Sequence, residues 1–386
     1  MEQVDFNAPT GWSWKKFKDV CVLKRGYDLP THARSAGDFP LYSANGVTDY
    51  IDQYKVDGPG VVTGRSGTIG KVHFVEGDYW PLNTALYVQK FNGNHPRFIK
   101  YFLENFDLTR FASGAAVPTL NRNSLSAELV CVPDSVDEQK RIVEKLDALL
   151  TRIDTAIEHL QESVTLADAL SQNGLDVYFA ELTETNPELT LSKLADFISG
   201  YAFKSGDFTS ESGIKPIKIT NVGVNEFSEN AEEFLPANYE TEYQRFAAKT
   251  NDIVIALTRP IINGGLKVCR VPEAYSGALV NQRVAAITSH NKHVLDFIYL
   301  YLQSSRTKNY VLEKSKSLNQ PNLSITDLKN LTLPLPVNDE AIAKAVADCN
   351  ALISKARKSK AEISEKITMM QQLKASILDS AFKGEF

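Results

Sequence analysis

The most constraining feature of this chain is an internal repeat, in which matched positions lie 203 residues apart without a gap. Each copy runs from a proline, Pro118 or Pro321, to a phenylalanine, Phe179 or Phe382. A period this long exceeds that of any solenoid and predicts two copies of a module of about domain size. Such a protein suits a target that also has two halves. The other matched apolar pairs are Val143 and Val346, Leu149 and Leu352, Leu160 and Ile363, Val164 and Ile367, Leu170 and Leu373, and Leu175 and Leu378.

The composition is that of a globular protein large enough for two hydrophobic cores, with 386 residues of which 43% are hydrophobic. The chain has no run of 18 apolar residues, so no membrane span is expected. Its first residues are acidic and lack the apolar stretch of a signal peptide. We therefore expect a cytoplasmic protein.

The net charge of −5 is concentrated in one segment, because residues 136–186 hold 4 basic and 11 acidic side chains. The segments on either side are close to neutral and have room for a one-sided basic face. The charge distribution therefore permits nucleic-acid binding but does not indicate it.

The chain is predicted to alternate between globular and helical segments, which makes the fold α+β. Both helical segments repeat apolar residues every three or four positions, and the first would form a rod of ~70 Å. One small domain is too small to bury such a stripe, so we predict that the two helices pair as an antiparallel coiled coil. Packing of each helix on its own globular segment is the alternative. The predicted boundaries are 1–135, 136–186, 187–337 and 338–386, with a globular domain first and third and a long helix second and fourth.

Local patterns predict the elements of the globular segments and one irregularity in the first helix. Residues 60–63, 71–75, 252–257 and 267–271 have the composition of strands, and residues 96–103 and 295–302 that of short helices. Gly174 lies within the first helical segment, where glycine costs ~1 kcal/mol relative to alanine. We expect a kink there.

Motifs of catalysis and metal binding are not found. Residues 64–71 resemble a phosphate-binding loop, but five residues separate the outer glycines and Val72 stands where Ser or Thr should bind magnesium. The chain lacks a dinucleotide fingerprint and the Asn/Asp-Pro-Pro-aromatic motif of a base methyltransferase. The six histidines do not pair with acids at ligand spacing. We therefore expect a non-catalytic chain without a metal site.

Several segments are similar to the specificity (S) subunit of type I restriction-modification enzymes, and the resemblance covers essentially the whole chain. The helical segments DEQKRIVEKLDALL (137–150) and LKASILDSAFKGEF (373–386) resemble the central and C-terminal helices of that family. The segments LYSANG (41–46), GRSGTIG (64–70) and NTAL (83–86) resemble parts of its target recognition domains.

The resemblance implies a DNA-binding subunit with two target recognition domains, each of which recognises one half of a bipartite, asymmetric DNA sequence. The paired helices would fix the spacer between the half-sites and bind two methyltransferase subunits, while translocase-nuclease subunits would complete the restriction complex. The methyltransferase would use S-adenosylmethionine, and this chain would bind no cofactor.

Candidate DNA-binding residues are the basic, amide, hydroxyl and aromatic side chains on turns, because these groups reach base edges and phosphates. In the first domain they are Lys24, Arg25, Tyr27, Tyr42, Ser43, Asn45, Arg65, Ser66, Asn121 and Arg122. In the second they are Tyr201, Lys204, Lys218, Thr220, Asn221, Thr258, Arg259, Lys314, Lys316, Asn319, Gln320 and Asn322. Any of these has a structural alternative, since a turn asparagine often stabilises its own turn and an arginine often pairs within its domain. On the helices, Leu146, Ile153 and Leu160 are candidates for methyltransferase docking.

Two other functions remain open at this stage. The first is a non-catalytic coiled-coil scaffold that joins two ligand-binding domains, which the low overall basicity favours. The second is the specificity subunit of an orphan adenine methyltransferase that has no nuclease partner. The close match between the helices and the position of basic and amide residues on turns favour DNA recognition over the scaffold.

Overall fold

The computed structural model describes residues 8–114, 118–229, 232–315 and 321–386. These residues form two compact units. Unit 1 contains the chain up to Gln161 together with Ser364–Phe386, and unit 2 contains Glu162–Ile363. The boundary crosses both long helices, and the four-segment division predicted from the sequence stays a prediction.

Unit 1 is built on a four-stranded antiparallel sheet with the strand order β2-β8-β5-β6, beside a three-stranded sheet with the order β4-β3-β7. Strand β1 pairs with β11, and β9 pairs with β10. The elements are β1 (Trp12–Lys16), α1 (Phe17–Val20), β2 (Val22–Arg25), β3 (Ala36–Ser43), β4 (Gly46–Ile51), β5 (Gly60–Gly64), β6 (Val72–Val75), β7 (Trp80–Pro81), β8 (Ala85–Lys90), α2 (Pro96–Asn105), β9 (Ala112–Ser113), β10 (Thr119–Leu120), α3 (Arg122–Ala127), β11 (Leu129–Pro133) and α4 (Val136–Thr185).

Unit 2 has a four-stranded antiparallel sheet with the equivalent order, β13-β20-β15-β18. Strand β12 pairs with β21, as β1 pairs with β11 in unit 1. The elements are β12 (Glu188–Thr190), β13 (Asp196–Ser199), β14 (Pro216–Ile217), α5 (Tyr239–Glu242), β15 (Ile253–Ala256), β16 (Ile261–Ile262), β17 (Gly265–Leu266), β18 (Val268–Arg270), β19 (Leu279–Val280), β20 (Val284–Thr288), α6 (Lys292–Leu302), α7 (Ser305–Lys314), α8 (Ile325–Asn330), β21 (Thr332–Pro334) and α9 (Asp339–Phe382).

The predicted strands and helices are confirmed where the sequence signals were local. Strands β5 and β15 are central in their sheets and entirely buried, which explains their continuous apolar sequences. Helix α2 begins with Pro96, whose missing N–H costs nothing at a first helical position. Helix α6 begins after Asn291, whose Oδ1 accepts from the backbone N–H of His293 at 2.9 Å.

The two predicted long helices are α4, with 50 residues, and α9, with 44. Asp137 and Glu138 lie in the first turn of α4, and Asp339 and Glu340 in that of α9, where the helix dipole favours acidic groups. Across the described residues, no helix is long and apolar enough to cross a membrane.

The apolar stripes of the long helices pack on the globular core of each unit as well as on each other. In unit 1, Leu146 of α4 and Leu378 of α9 belong to the cluster that contains Phe98 of α2. In unit 2, Phe179 of α4 and Val346 of α9 belong to the cluster of the main sheet and α6. The alternative that each helix packs on a globular segment therefore holds for part of each stripe.

Within each unit, segments of α4 and α9 contact each other and run in opposite directions. In unit 2, Lys360 Nζ lies 2.7 Å from Asp168 Oδ2, and the Tyr178 hydroxyl lies 3.3 Å from Asp348 Oδ2. In unit 1, Lys374 Nζ lies 2.7 Å from Asp154 Oδ1, while Arg141 Nη2 donates at 2.8 Å to the backbone O of Phe386, just beyond the end of α9. In both units, later residues of α4 contact earlier residues of α9, so the contacting segments are antiparallel.

Helix α4 is continuous through Gly174, since it extends over Val136–Thr185, and the kink expected at this glycine stays a prediction. The structure gives this glycine another role. A β-carbon at Gly174 would lie 2.7 Å from Leu352 Cδ2 and 3.1 Å from Leu352 Cδ1. Gly174 therefore allows Leu352 of α9 to approach the backbone of α4 closely.

A double-mutant cycle between these two residues tests that role. In a Leu352→Ala background, Gly174→Ala should stabilise the chain by about 1 kcal/mol, because only the helix-propensity gain remains. In the wild-type background the gain should be smaller, since the new methyl group displaces Leu352. Equal effects in both backgrounds, measured by denaturant unfolding, would show that the contact is unimportant.

Candidate nucleic-acid interface

Three turns of unit 1 meet at the glycine-rich turn after β5. The backbone N–H of Leu120 donates to Arg65 O at 3.0 Å, which joins this turn to the one before α3. Thr68 Oγ1 donates to Asn45 Oδ1 at 2.8 Å, which joins it to the β3–β4 turn. The structure thus brings three groups of predicted DNA-binding residues onto one surface.

The donor groups of this surface are Arg65, Ser66, Asn45 and Arg122, with Lys71 as an addition that the sequence analysis missed. Lys71 Nζ donates to Asn45 O at 3.2 Å and remains exposed. The sequence signal that could have identified Lys71 is its position directly after Gly70, between the glycine-rich turn and β6. Within the described part of the chain, no ion pair involves Arg65 or Arg259, so the expected alternative of internal pairing does not hold for them.

The group at Lys24, Arg25 and Tyr27 lies at the end of β2 and just beyond it, beside the turn at residues 81–84. The backbone N–H of Tyr27 donates to Pro81 O at 2.7 Å, and Lys24 Nζ lies 5.8 Å from the centre of the Tyr27 ring. Arg25 Nη2 lies 3.7 Å from Asp28 Oδ1, and both side chains are exposed. An exposed pair at this distance is weak, so Arg25 keeps most of its capacity to bind an anion.

Two predicted residues of unit 1 have roles within the fold; burial corrects the expectation of a direct DNA contact for Tyr42, whereas that for Ser43 stays a prediction. Tyr42 is 9% exposed and packs edge-on against Tyr79 with ring centres 6.0 Å apart. Burial raises the pKa of the Tyr42 hydroxyl. Ser43 Oγ donates to Gly46 O at 3.2 Å and accepts from the Asn45 N–H at 3.2 Å, so it shapes the β3–β4 turn.

Asn121 has a defined structural role as the N-cap of α3, where its Oδ1 accepts from the Asn123 N–H at 3.1 Å. The neighbouring Arg122 is the first residue of α3 and is exposed. The sequence pattern placed both residues correctly on a turn. The Oδ1 atom of Asn121 is used in the cap, whereas the Arg122 side chain is free of such a structural role.

Unit 2 builds the same arrangement of turns after β15. The backbone N–H of Leu323 donates to Leu257 O at 2.7 Å, as that of Leu120 donates to Arg65 O in unit 1. Thr258 forms a β-bridge with Asn322, as Ser66 does with Thr119. The same framework therefore occurs twice.

These backbone contacts define which residues of the two turns are equivalent. The hydrogen-bonded position of Arg65 is occupied by Leu257, and that of Ser66 by Thr258. Arg259 consequently stands at the position of Gly67. The two turns share a backbone but carry their arginines two positions apart.

Tyr201 follows β13 in unit 2 and belongs to an aromatic cluster that the sequence analysis did not predict. Its ring lies 5.1 Å from Phe203, 4.9 Å from Tyr243 and 5.1 Å from Phe246. The cluster forms because residues 239–246 fold back beside β13, a contact between distant segments. Lys204 is exposed next to the cluster, where its backbone N–H donates to Asp207 Oδ2 at 3.2 Å.

The predicted group at Lys218, Thr220 and Asn221 is largely structural. Asn221 is 3% exposed, accepts from the Lys218 N–H at 2.8 Å and donates to Ser228 O at 2.7 Å. Lys218 Nζ forms an ion pair with Glu233. The expectation of a DNA contact is corrected for Asn221, while Thr220 is exposed.

The last predicted group lies before β21. Lys314 ends α7, with Nζ 3.6 Å from Glu313 Oε1, and Asn322 is exposed. Lys316, Asn319 and Gln320 lie outside the described residues. Among the described residues, no group of His, Cys, Asp and Glu is arranged to hold a metal ion.

Substitution at the α3 cap separates structural from surface residues of unit 1. Asn121→Ala should destabilise the chain by about 1 kcal/mol, because two backbone N–H groups lose their acceptor. Arg122→Ala should leave stability within about 0.5 kcal/mol, because Arg122 is an exposed surface residue. Thermal unfolding of both variants distinguishes these outcomes, and equal losses would assign Arg122 to the scaffold.

The comparisons with known proteins all indicate the same family. The family model for the type I restriction modification DNA specificity domain matches residues 9–166 and 183–365. The specificity subunit of the type I restriction enzyme MjaVIII of Methanocaldococcus jannaschii is 28% identical over 65% of this chain and 62% of its own length. The EcoAI specificity subunit of Escherichia coli is 30% identical over 49% of this chain and 33% of its own length. The chain thus matches less than two thirds of the length of these relatives.

Solved structures share the fold. A chain from a study of complex assembly and conformational transition of the type I R-M system has a TM-score of 0.72 at 16% identity, covering 98% of this chain and all of its own length. The HsdS subunit of Thermoanaerobacter tengcongensis has a TM-score of 0.55 at 18% identity and covers both chains fully. With the family model matching both globular regions and much of the long helices, this chain belongs to the family of type I restriction-modification DNA specificity proteins.

Proposed function

We propose that this chain is the sequence-specific DNA-binding subunit of a type I restriction-modification complex, in which unit 1 and unit 2 each recognise one half of a bipartite target. The observation that carries the proposal is the turn framework that occurs in both units with different side chains. One copy presents Arg65 and Gly67 where the other presents Leu257 and Arg259. Equal frameworks with different donors suit two different half-sites.

The chemistry of these surfaces supports DNA as the ligand. Guanidinium, ammonium, amide and hydroxyl groups on exposed turns donate to base edges and phosphates. The aromatic cluster around Tyr201 adds apolar contact area, for example for a thymine methyl group. The nearly neutral globular segments do not oppose this, since only one face needs to be basic.

We further propose that α4 and α9 act as an antiparallel coiled coil that sets the spacer between the half-sites. Support comes from the opposite direction of the two helices within each unit and from their length. A helix of 50 residues extends about 75 Å, and two recognition elements on one face of B-DNA lie about 34 Å, one turn, apart. A helical pair of this length is long enough to span that distance.

Methyltransferase subunits are proposed to dock on exposed apolar residues of α4. The sequence analysis suggested Leu146 and Ile153, but both are buried in the structure and are corrected here, while Leu160 is half-buried. The most exposed large apolar residues of α4 are instead Leu166, Leu170 and Val177, which are 68%, 73% and 58% exposed. We call these three residues the α4 patch.

In this proposal the chain itself is non-catalytic and binds no cofactor. Two methyltransferase subunits use S-adenosylmethionine to methylate adenine, and translocase-nuclease subunits complete the restriction complex. The complex would act on DNA in the cytoplasm. An orphan system without the nuclease would have the same recognition subunit.

Methylome sequencing tests the function directly. The chain is expressed with its neighbouring methyltransferase in a host that lacks adenine methylation, and methyladenine is mapped by long-read sequencing. A split motif of two short halves around a fixed gap, absent without this chain, is the expected result. Assembly of a folded complex without methylation would contradict the proposal and favour a scaffold.

Insertion of one heptad into each long helix tests the spacer. Seven residues after Gln161 and seven after Ile363 add about 10.5 Å of helix and nearly preserve the facing side chains. The methylated motif should keep both halves and gain about three base pairs of spacer, at ~3.4 Å per pair. Insertion in only one helix serves as the control and should abolish assembly. An unchanged spacer would show that other contacts set it.

Introduction of a charge into the α4 patch tests methyltransferase docking. Leu170→Glu should abolish co-purification of the methyltransferase, because burial of an unpaired carboxylate is unfavourable. Leu312→Glu, at an exposed leucine of α7, is the matched control and should retain the complex. Retention of the complex by both variants would place the docking surface elsewhere.

A further inference from the structure

Arg259 combines two backbone features that are unfavourable for its residue type. Its φ is +47°, in the left-handed region that residues with a β-carbon rarely adopt. It also precedes Pro260, and a residue before proline is normally held in an extended conformation by the proline ring. Such strain persists only where the surrounding structure imposes it, and it occurs most often at functional sites.

The surrounding structure holds the backbone at this position firmly. The Arg259 N–H donates to Pro321 O at 2.8 Å, and the Lys267 N–H donates to Pro260 O at 2.7 Å. Pro260 is buried, whereas Arg259 is exposed. The turn therefore presents the arginine on a rigid base, with its guanidinium group toward solvent.

Unit 1 provides an internal comparison, because the equivalent position is Gly67. Its φ is +83°, and a β-carbon built there would have no neighbour within 4 Å. Steric crowding therefore does not require glycine in unit 1, and the left-handed backbone alone explains its presence. The chain uses the unstrained residue in one copy of the turn and an arginine in the other.

A contact with the DNA backbone would not need this strained residue. Flexible lysines at unstrained positions bind phosphate well. Lys308 is available for this purpose beside the hairpin of β16 and β17, which follows Arg259, because its Nζ lies 3.8 Å from a β-carbon built on Gly264. The planar guanidinium of arginine has an advantage over the lysine ammonium where two acceptors must be contacted in a fixed geometry. In the major groove, guanine presents two acceptors on one edge, O6 and N7, which match two N–H groups of a guanidinium.

We propose that Arg259 is a specificity-determining residue that recognises one guanine in the half-site bound by unit 2. This rests on the proposed function and deepens it by assigning a base to a residue. The strained turn fixes the direction in which the side chain leaves the backbone, so binding has to order only the side-chain rotamers of Arg259 and not the turn as well.

The experiment compares Arg259→Lys and Arg259→Gly with wild type, each as the full chain with its methyltransferase, by methylome sequencing. In wild type, one half of the motif should contain a required G·C pair. Both variants should lose that preference, which corresponds to roughly 10- to 100-fold discrimination, while the other half of the motif remains unchanged. Arg259→Lys retains the charge but lacks the planar fork.

Thermal unfolding supplies a second readout that does not depend on DNA. Arg259→Gly should raise the unfolding midpoint of the full chain by about 2 °C, because glycine relieves the strain. Asn263→Gly is the matched control, since Asn263 also has a left-handed φ, of +46°, in the same hairpin. Asparagine tolerates this conformation, so the control should change the midpoint less and leave the motif intact.

Three results would overturn the proposal. An unchanged motif in Arg259→Lys, with uniformly weaker and less salt-dependent DNA binding in Arg259→Gly, would indicate a phosphate contact. An unchanged motif in both variants with normal binding would exclude a role in recognition. A lower unfolding midpoint in Arg259→Gly would make the arginine structural. Absence of any split motif in wild type would instead contradict the proposed function itself.

Discussion

The structure depends on the shared burial of long-helix side chains in the core of each unit. Phe382 of α9 packs against Phe98 and Phe102 of α2, with ring centres 5.4 and 6.2 Å away, and Phe179 of α4 packs edge-on against Phe297 and Tyr301 of α6. Buried aromatic side chains contribute large apolar areas and defined geometry. Each core contains segments of both long helices, and unit 1 is completed only when the C-terminal part of α9 joins the N-terminal part of the chain.

The long helices contain two kinds of apolar residue, one buried in the cores and one exposed. Near the globular cores their apolar residues are fixed by packing, as Leu146 and Leu378 are, and substitutions there act on stability. Elsewhere α4 exposes Leu166, Leu170 and Val177, which contribute nothing to the described core. An exposed apolar group of this kind is typical of an interaction surface. The proposed division between holding the units and docking a partner follows from this contrast.

The proposed recognition surfaces combine one framework of turns with different side chains in the two units. Main-chain hydrogen bonds hold the turns in place, so the side chains can differ without loss of the fold. Where unit 1 has Gly67 at a left-handed position, unit 2 has Arg259 at the equivalent position, also with a positive φ. A residue held in an unfavourable conformation by its own fold is a stronger functional indication than an arginine on a relaxed loop.

The sequence by itself determined the repeat, some of the strands and short helices of the globular regions and the two long helices, because periodicity and capping act over short distances. It also placed the candidate residues on turns. Only the tertiary structure decided which of them are accessible. It buried Tyr42 and Asn221, capped α3 with Asn121 and gave Gly174 a packing role. It also moved Arg259 to the position of Gly67, since hydrogen bonds between distant segments, not residue identity, define equivalent positions. The aromatic cluster of Tyr201 likewise depends on contacts between distant segments, which no local pattern records.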